Sequence, residues 1–129
     1  MPSWFRGGLF LCVGVVLTLV SLIQLTSAWR LGRDGLRAQG EVIELNAGPA
    51  HPQVRFTTAT GATVSYPQGG LVTQHVGDQV TVLYDSANPH DAVLDTVAAR
   101  YGFAILDTVL ALVFLGVSVV DLRRRLPLR

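Results

Sequence analysis

The sequence predicts an α+β membrane protein in which two transmembrane helices flank a small antiparallel β-barrel or sandwich domain of about five strands. Three observations predict it. The 129-residue chain carries two long apolar runs, one near each end. The stretch between them alternates apolar and polar residues with a period of two, and glycine and proline punctuate it at strand-length intervals.

Composition supports the same class. Half of the residues are hydrophobic, 15% are charged, and the mean hydropathy is +0.43. That apolar excess is concentrated at the two ends, which points to membrane spans instead of a larger core. The net charge of +1 offers no electrostatic footprint for a nucleic-acid partner. All ten basic residues are arginine, which reflects genome composition, here taken as bacterial. The one cysteine, Cys12, lies inside the first apolar run, so no intrachain disulfide can form.

The first span is assigned to residues 1–29. No charge occurs between Arg6 and Arg30, and Gly7 to Trp29 is roughly 34 Å long as a helix, enough for a hydrocarbon layer of about 30 Å. Thr26-Ser27-Ala28 looks like a signal-peptide cleavage site, but the apolar stretch far exceeds the roughly 7–15 residues of a signal core, so an uncleaved anchor is expected. The second span is assigned to residues 99–121. Its apolar run, Tyr101 to Val120, is bounded by Arg100 and Asp121 and holds one charge, Asp107. A central charge costs about 2.5–3.5 kcal/mol on insertion scales, which the many Leu, Ile, Val and Phe residues offset at about 0.3–0.6 kcal/mol each. The triple arginine 123–125 opens a basic tail, 122–129, and argues against a buried soluble helix. The positive-inside rule places both tails in the cytoplasm and the intervening domain outside it.

Counting depth inward from Trp29 and Tyr101 as interfacial anchors puts Gln24 level with Asp107, so the two can form an intramembrane polar pair. Ala104, Asp107, Ala111 and Ser118 share one helix face, and Gly14, Thr18 and Ser21 form a comparable small and polar stripe. Helix glue, or an acid close enough to the interface to stay hydrated, is the simplest role for Asp107; docking of another membrane protein and a proton or ion relay are the alternatives. Gly116 falls on the opposite face, outside this packing.

Between the spans, residues 30–37 form a basic juxtamembrane connector suited to lipid phosphates, either separate from the first helix or continuing it until Gly32 or Gly35 breaks it. Residues 38–98 form the β-rich domain. Three segments share a glycine followed by alternating apolar positions: Gly40-x-x-Ile43-x-Leu45, Gly61-x-x-Val64-x-Tyr66 and Gly77-x-x-Val80-x-Val82. A turn glycine leading into a strand is what an antiparallel meander needs. Residues 53–57 alternate likewise, a short strand fits Ala92-Val93-Leu94, and Pro67-Gln68-Gly69-Gly70 and Asn88-Pro89 are loops or turns. The expected core is Val42 or Ile43 with Val54, Phe56, Val64, Tyr66, Val80, Val82 and Tyr84.

No chemistry-bearing constellation stands out. His51, His75 and His90 are scattered, there is no cysteine pair, and no phosphate-cradling glycine loop or nucleophile elbow occurs. Asp85, Asn88, Asp91 and Asp95 lack the order of a calcium loop and suit local turn hydrogen bonds better. No cofactor, metal or catalytic residue is expected.

The run 76–85 (Val-Gly77-Asp78-Gln-Val-Thr-Val-Leu-Tyr84-Asp85), followed by Asn88-Pro89 and residues 92–95, resembles the membrane family catalogued as domain of unknown function 3592. The segment 52–57 followed by Gly61 resembles it as well. The resemblance implies a β-rich module next to or between membrane helices, with Gly61, Gly77, Asp78, Tyr84, Asp85, Asn88 and Pro89 as turn and core residues. The family often has proline after the Tyr-Asp pair, where Ser86 stands here. No activity follows from the resemblance. The expected function is a non-enzymatic membrane protein whose β domain binds a membrane or envelope protein. The alternative is a small oligomeric transport or proton-coupled component using Asp107 and Gln24, with a second copy of the chain as partner. A hydrolase has the weakest support.

Overall fold

The computed structural model describes residues 2–126; Met1 and residues 127–129, among them Arg129 of the basic tail, lie outside the described residues. In chain order the elements are α1 (Ser3–Asp34), β1 (Leu36–Leu45), β2 (Pro52–Thr57), β3 (Thr63–Pro67), β4 (Gln79–Tyr84), β5 (Ala92–Leu94) and α2 (Val97–Arg125). They fall into two compact units, one made of residues 1–24 and 104–129, the other of residues 25–103.

In the first unit α1 and α2 run antiparallel through contacts between small residues. Gly14 lies so close to Leu115 that a Cβ there would come within 2.8 Å of the leucine Cγ. Ala104, Ala111, Ser21 and Ser118 are buried at the contact, whereas Val16 and Leu112 on the opposite faces are 58% and 65% exposed. Both helices are long and apolar enough to cross a membrane by length and composition.

In the second unit the five strands form one curled antiparallel sheet in the order β3-β2-β1-β4-β5. The five antiparallel strands are as expected, but they curl into a half-barrel, and their order departs from a simple meander. The chain forms β1, β2 and β3 as successive hairpins and then returns along residues 68–78 to place β4 on the far side of β1. The half-barrel therefore keeps two edges, β3 and β5. Their ends are linked by one side chain instead of a main-chain ladder. Gln68, just after β3, accepts hydrogen bonds at Oε1 from the Tyr66 hydroxyl of β3 (3.1 Å) and the Leu94 amide of β5 (2.9 Å). Its Nε2 donates to the Gly69 carbonyl.

One face of the sheet carries the core. Val42, Val54, Phe56, Val64, Tyr66, Val82, Tyr84 and Leu94 form a single buried cluster, closed over by Val72 from the crossing segment. Phe56 stacks against Tyr84 with ring centroids 5.1 Å apart and meets Tyr66 edge-on at 6.0 Å. A bulge between Val42 and Glu44 shifts the register of β1 against β2, which leaves Val42, and not Ile43, in the core. Val80 is only partly buried, at the edge of the cluster.

Gly40 departs from the turn role expected of it. It sits inside β1 opposite Phe56 and Val80, where a Cβ would come within 2.9 Å of Val82 Cγ2 and 3.0 Å of the Arg55 carbonyl. Gly61 and Gly77 do occupy turns, at φ of 87° and 91°, a region that other residues enter at a steric cost.

In the run 30–37 the first helix continues and breaks at Gly35, the second of the two glycines at which a break is expected. Thus α1 reaches Asp34, Gly35 closes that helix through its amide bond to the Leu31 carbonyl, and β1 begins at Leu36. Leu83, on the outer face, is fully buried beside this helix end; a Cβ on Gly35 would lie 3.1 Å from its Cδ1. At the start of α2, the Thr96 hydroxyl accepts the Ala99 amide as an N-cap. Asp95 beside it pairs with both Arg37 of β1 (2.7 Å) and Arg100 of α2 (3.4 Å).

Candidate functional site

Within the helix pair, polar groups converge at one level. Gln24 Nε2 donates to Asp107 Oδ2 at 2.9 Å. One turn away, the Ser21 and Thr108 hydroxyls hydrogen-bond each other and the Ala104 carbonyl lies within reach of both, at 3.2 Å and 2.7 Å, so the two hydroxyl protons serve two of these three contacts at a time. Nearer the chain termini the Ser118 hydroxyl donates to the Gly7 carbonyl at 3.2 Å. Each bond but the Thr108-Ala104 one joins α1 to α2, so the set acts chemically as a clasp. Gln24 Oε1 is buried without a hydrogen-bond partner. An amide that donates to a carboxylate must turn its acceptor away, and here that acceptor meets no donor. Thr108 was not singled out by face counting, because a lone threonine in an apolar helix more often satisfies itself on the preceding turn.

In the sheet domain the remaining sequence-marked residues serve local structure. Asp78 Oδ2 accepts the His75 amide at 2.8 Å, while the Gly77 amide and the Asp78 carbonyl extend the β4–β1 pairing to Val42. Asp85 Oδ1 accepts the Ala87 amide at 2.8 Å, and the Asp91 amide bonds the Asn88 carbonyl, so Asp85, Asn88 and Pro89 shape the β4–β5 turn. The Tyr84 hydroxyl accepts the Ala59 amide at 2.9 Å and holds the β2–β3 turn to β4. None of these is near the Gln24–Asp107 pair in kind: one group shapes turns, the other joins helices. Among the described residues, no three His, Cys, Asp or Glu side chains are grouped as a metal site requires.

Gln68 is the residue that sequence reasoning missed. Pro-Gln-Gly-Gly is a loop signature, and nothing local marks a buried glutamine as the link between two sheet edges. The Tyr66 hydroxyl that bonds it is held well above the usual tyrosine range by burial, so it stays a donor.

The outer face of the sheet is polar. Gln39, Glu41, Arg55, Thr57, Thr63 and Gln79 line a shallow polar groove of about 410 Å³ there. Cross-strand pairs run along it: Gln53 to Ser65 at 2.6 Å, Asn46 to Gln53 at 2.9 Å, and Arg55 to Glu41 at 3.5 Å. At its rim β3 is an edge strand, with Thr63 and Ser65 exposed and Pro67 at its end.

A family model described as domain of unknown function DUF3592 matches residues 38–98. The chain is also 38% identical over 99 residues to the immune protein Tsi4 of Pseudomonas aeruginosa, an alignment that covers 75% of this chain and 68% of the relative. The chain belongs to the DUF3592 family. No solved structure matches it. The DUF3592 segment takes in the whole sheet except the first residues of β1, and ends in the first turn of α2. The likeness to Tsi4 covers more of the chain than that segment and so reaches into helix sequence.

Proposed function

We propose that this chain is a membrane-held immunity protein: α1 and α2 anchor it, and its DUF3592 domain binds a toxic protein outside the cytoplasm and protects the cell that makes it. The observation that carries this reading is the 38% identity to the immune protein Tsi4 across both sheet and helix sequence. Immunity of this kind is a binding task and needs a surface, not a reaction centre. The outer face around Glu41 and Arg55, with the β3 edge beside it, is the surface assigned to the partner. An unpaired strand edge can accept a strand from another protein, and flanking side chains then set the choice of partner. Anchorage is supported by two helices of spanning length whose apolar faces point outward while their small and polar residues face each other.

The deciding experiment is a co-culture of the parent bacterium with a derivative lacking this chain. The derivative should be outcompeted and then restored by a plasmid copy; equal survival of both strains sinks the proposal. Placement is tested in intact cells with Cys12→Ser and Ser86→Cys, since Ser86 lies exposed in the β4–β5 turn. Labelling by a membrane-impermeant thiol reagent puts the domain outside, whereas labelling only after lysis puts it in the cytoplasm. A proton-coupled role for the Gln24–Asp107 pair is the second reading, favoured only by the unpartnered Gln24 Oε1. Full protection by Asp107→Asn would remove it.

A further inference from the structure

Gly116 has no part in the contact between the helices. Nothing lies within 4 Å of the position its Cβ would take. It forms the floor of an open groove of about 500 Å³ on the side of the helix pair, with Phe10, Val113 and Val117 as apolar walls. Arg6 of α1 and Arg124 of α2 line the groove as well, together with the Asp121 carboxylate and Arg125. Neither Arg6 nor Arg124 has a carboxylate partner among the described residues, whereas Arg125 is paired with Asp121. An apolar trough lined also by two unpaired guanidinium groups matches one kind of molecule: a long hydrocarbon chain ending in a negative charge.

We propose that this groove binds one anionic phospholipid, with an acyl chain lying over Gly116 and the phosphate held between Arg6 and Arg124. The proposal rests on the membrane-anchored reading above. A guanidinium matches the geometry of phosphate oxygens with paired donors, and two of them on different helices would let one headgroup bridge α1 and α2. Glycine is the residue that leaves room for the chain; any larger side chain at 116 would stand in the trough.

The test uses the full chain with Trp29→Phe, so that Trp4, near Arg6 on α1, is the remaining tryptophan of the two. It is placed in phosphatidylcholine vesicles containing equal small fractions of brominated phosphatidylglycerol or of brominated phosphatidylcholine. Trp4 fluorescence should be quenched more by the brominated anionic lipid, corresponding to a preference of about fivefold for each arginine engaged. That excess should fall in Arg6→Gln, in Arg124→Gln and in Gly116→Phe, which keeps every charge but fills the trough. It should persist in Arg123→Gln, which removes the same charge outside the groove. Equal quenching by both lipids overturns the proposal and leaves the membrane anchor intact. Equal loss in Arg123→Gln and Arg124→Gln also overturns it, as diffuse attraction to a charged surface. Quenching by neither lipid means the helices are not in the bilayer, and both readings fall.

Discussion

In the sheet domain Val42, Val54 and Val82 are fully hidden while Arg55 and Glu41 face outward. In the helix pair the order is reversed: Val16 and Leu112 are largely exposed, and Ser21 and Ser118 are buried. On the membrane-anchored reading, the same residue types lie on opposite sides because the two regions suit different surroundings. A sheet in water gains from every apolar side chain it hides, at roughly 25 cal/mol per Å². Helices in hydrocarbon gain nothing by hiding leucine from lipid, so they associate through close backbone approach and a few hydrogen bonds. The two regions should therefore break at different places and by different amounts.

The largest expected effect is in the sheet. Phe56→Ala removes the ring that joins Tyr66 and Tyr84, and should lower the stability of the domain by about 3–5 kcal/mol, read from thermal unfolding of the full chain in detergent. A loss below about 1 kcal/mol would mean that the core is not assembled as described. Next is Gln68→Leu, which leaves the Leu94 amide and the Tyr66 hydroxyl unpaired inside the domain. About 2–5 kcal/mol should be lost, with faster amide exchange at Leu94 as the local sign.

Polar groups in the helix pair are worth less. Asp107→Leu should weaken helix association by about 0.6–2 kcal/mol, because in a membrane even the unassociated helices find other partners for their polar groups. Measured by energy transfer between labelled helices, a loss larger than that for Phe56→Ala would reverse the contrast between the two regions. The smallest effect near neutral pH is the titration of Tyr66. Its folded-state pKa is raised above the unfolded value of about 10, so the neutral hydroxyl stabilises the fold fully below that value. Stability should decline as pH rises past about 10, and Tyr66→Phe should flatten that decline. An identical alkaline slope in both proteins would place the cause elsewhere.

How much of this was legible in the sequence varied with the range of the signal. The two apolar runs and the alternation at Val54-Phe56, Val64-Tyr66 and Val82-Tyr84 are local patterns, and the elements there formed where those patterns lie. Strand order was not legible, since nothing in residues 68–78 announces that they return across the sheet to the far side of β1. Gly40 was misread as a turn because glycine in a strand, needed here for room beside Val82, has the same sequence signature as glycine before one. For the candidate site, Gln24 and Asp107 could be matched by depth, but Gln68 could not, because both of its partners are fixed by tertiary folding.

The bonds of the helix clasp also carry a consequence for synthesis. Ser21 and Gln24 find their partners on α2 83 residues or more downstream, and Gly7 finds Ser118 111 residues downstream. Every strand of the sheet leaves the ribosome before α2 does. Once folded, the sheet replaces a long floppy connection by a compact one and so lowers the entropy lost when the two ends of the chain meet. The helix contact is thus the closing step of biogenesis, and a lesion that delays the sheet would strand α1 alone.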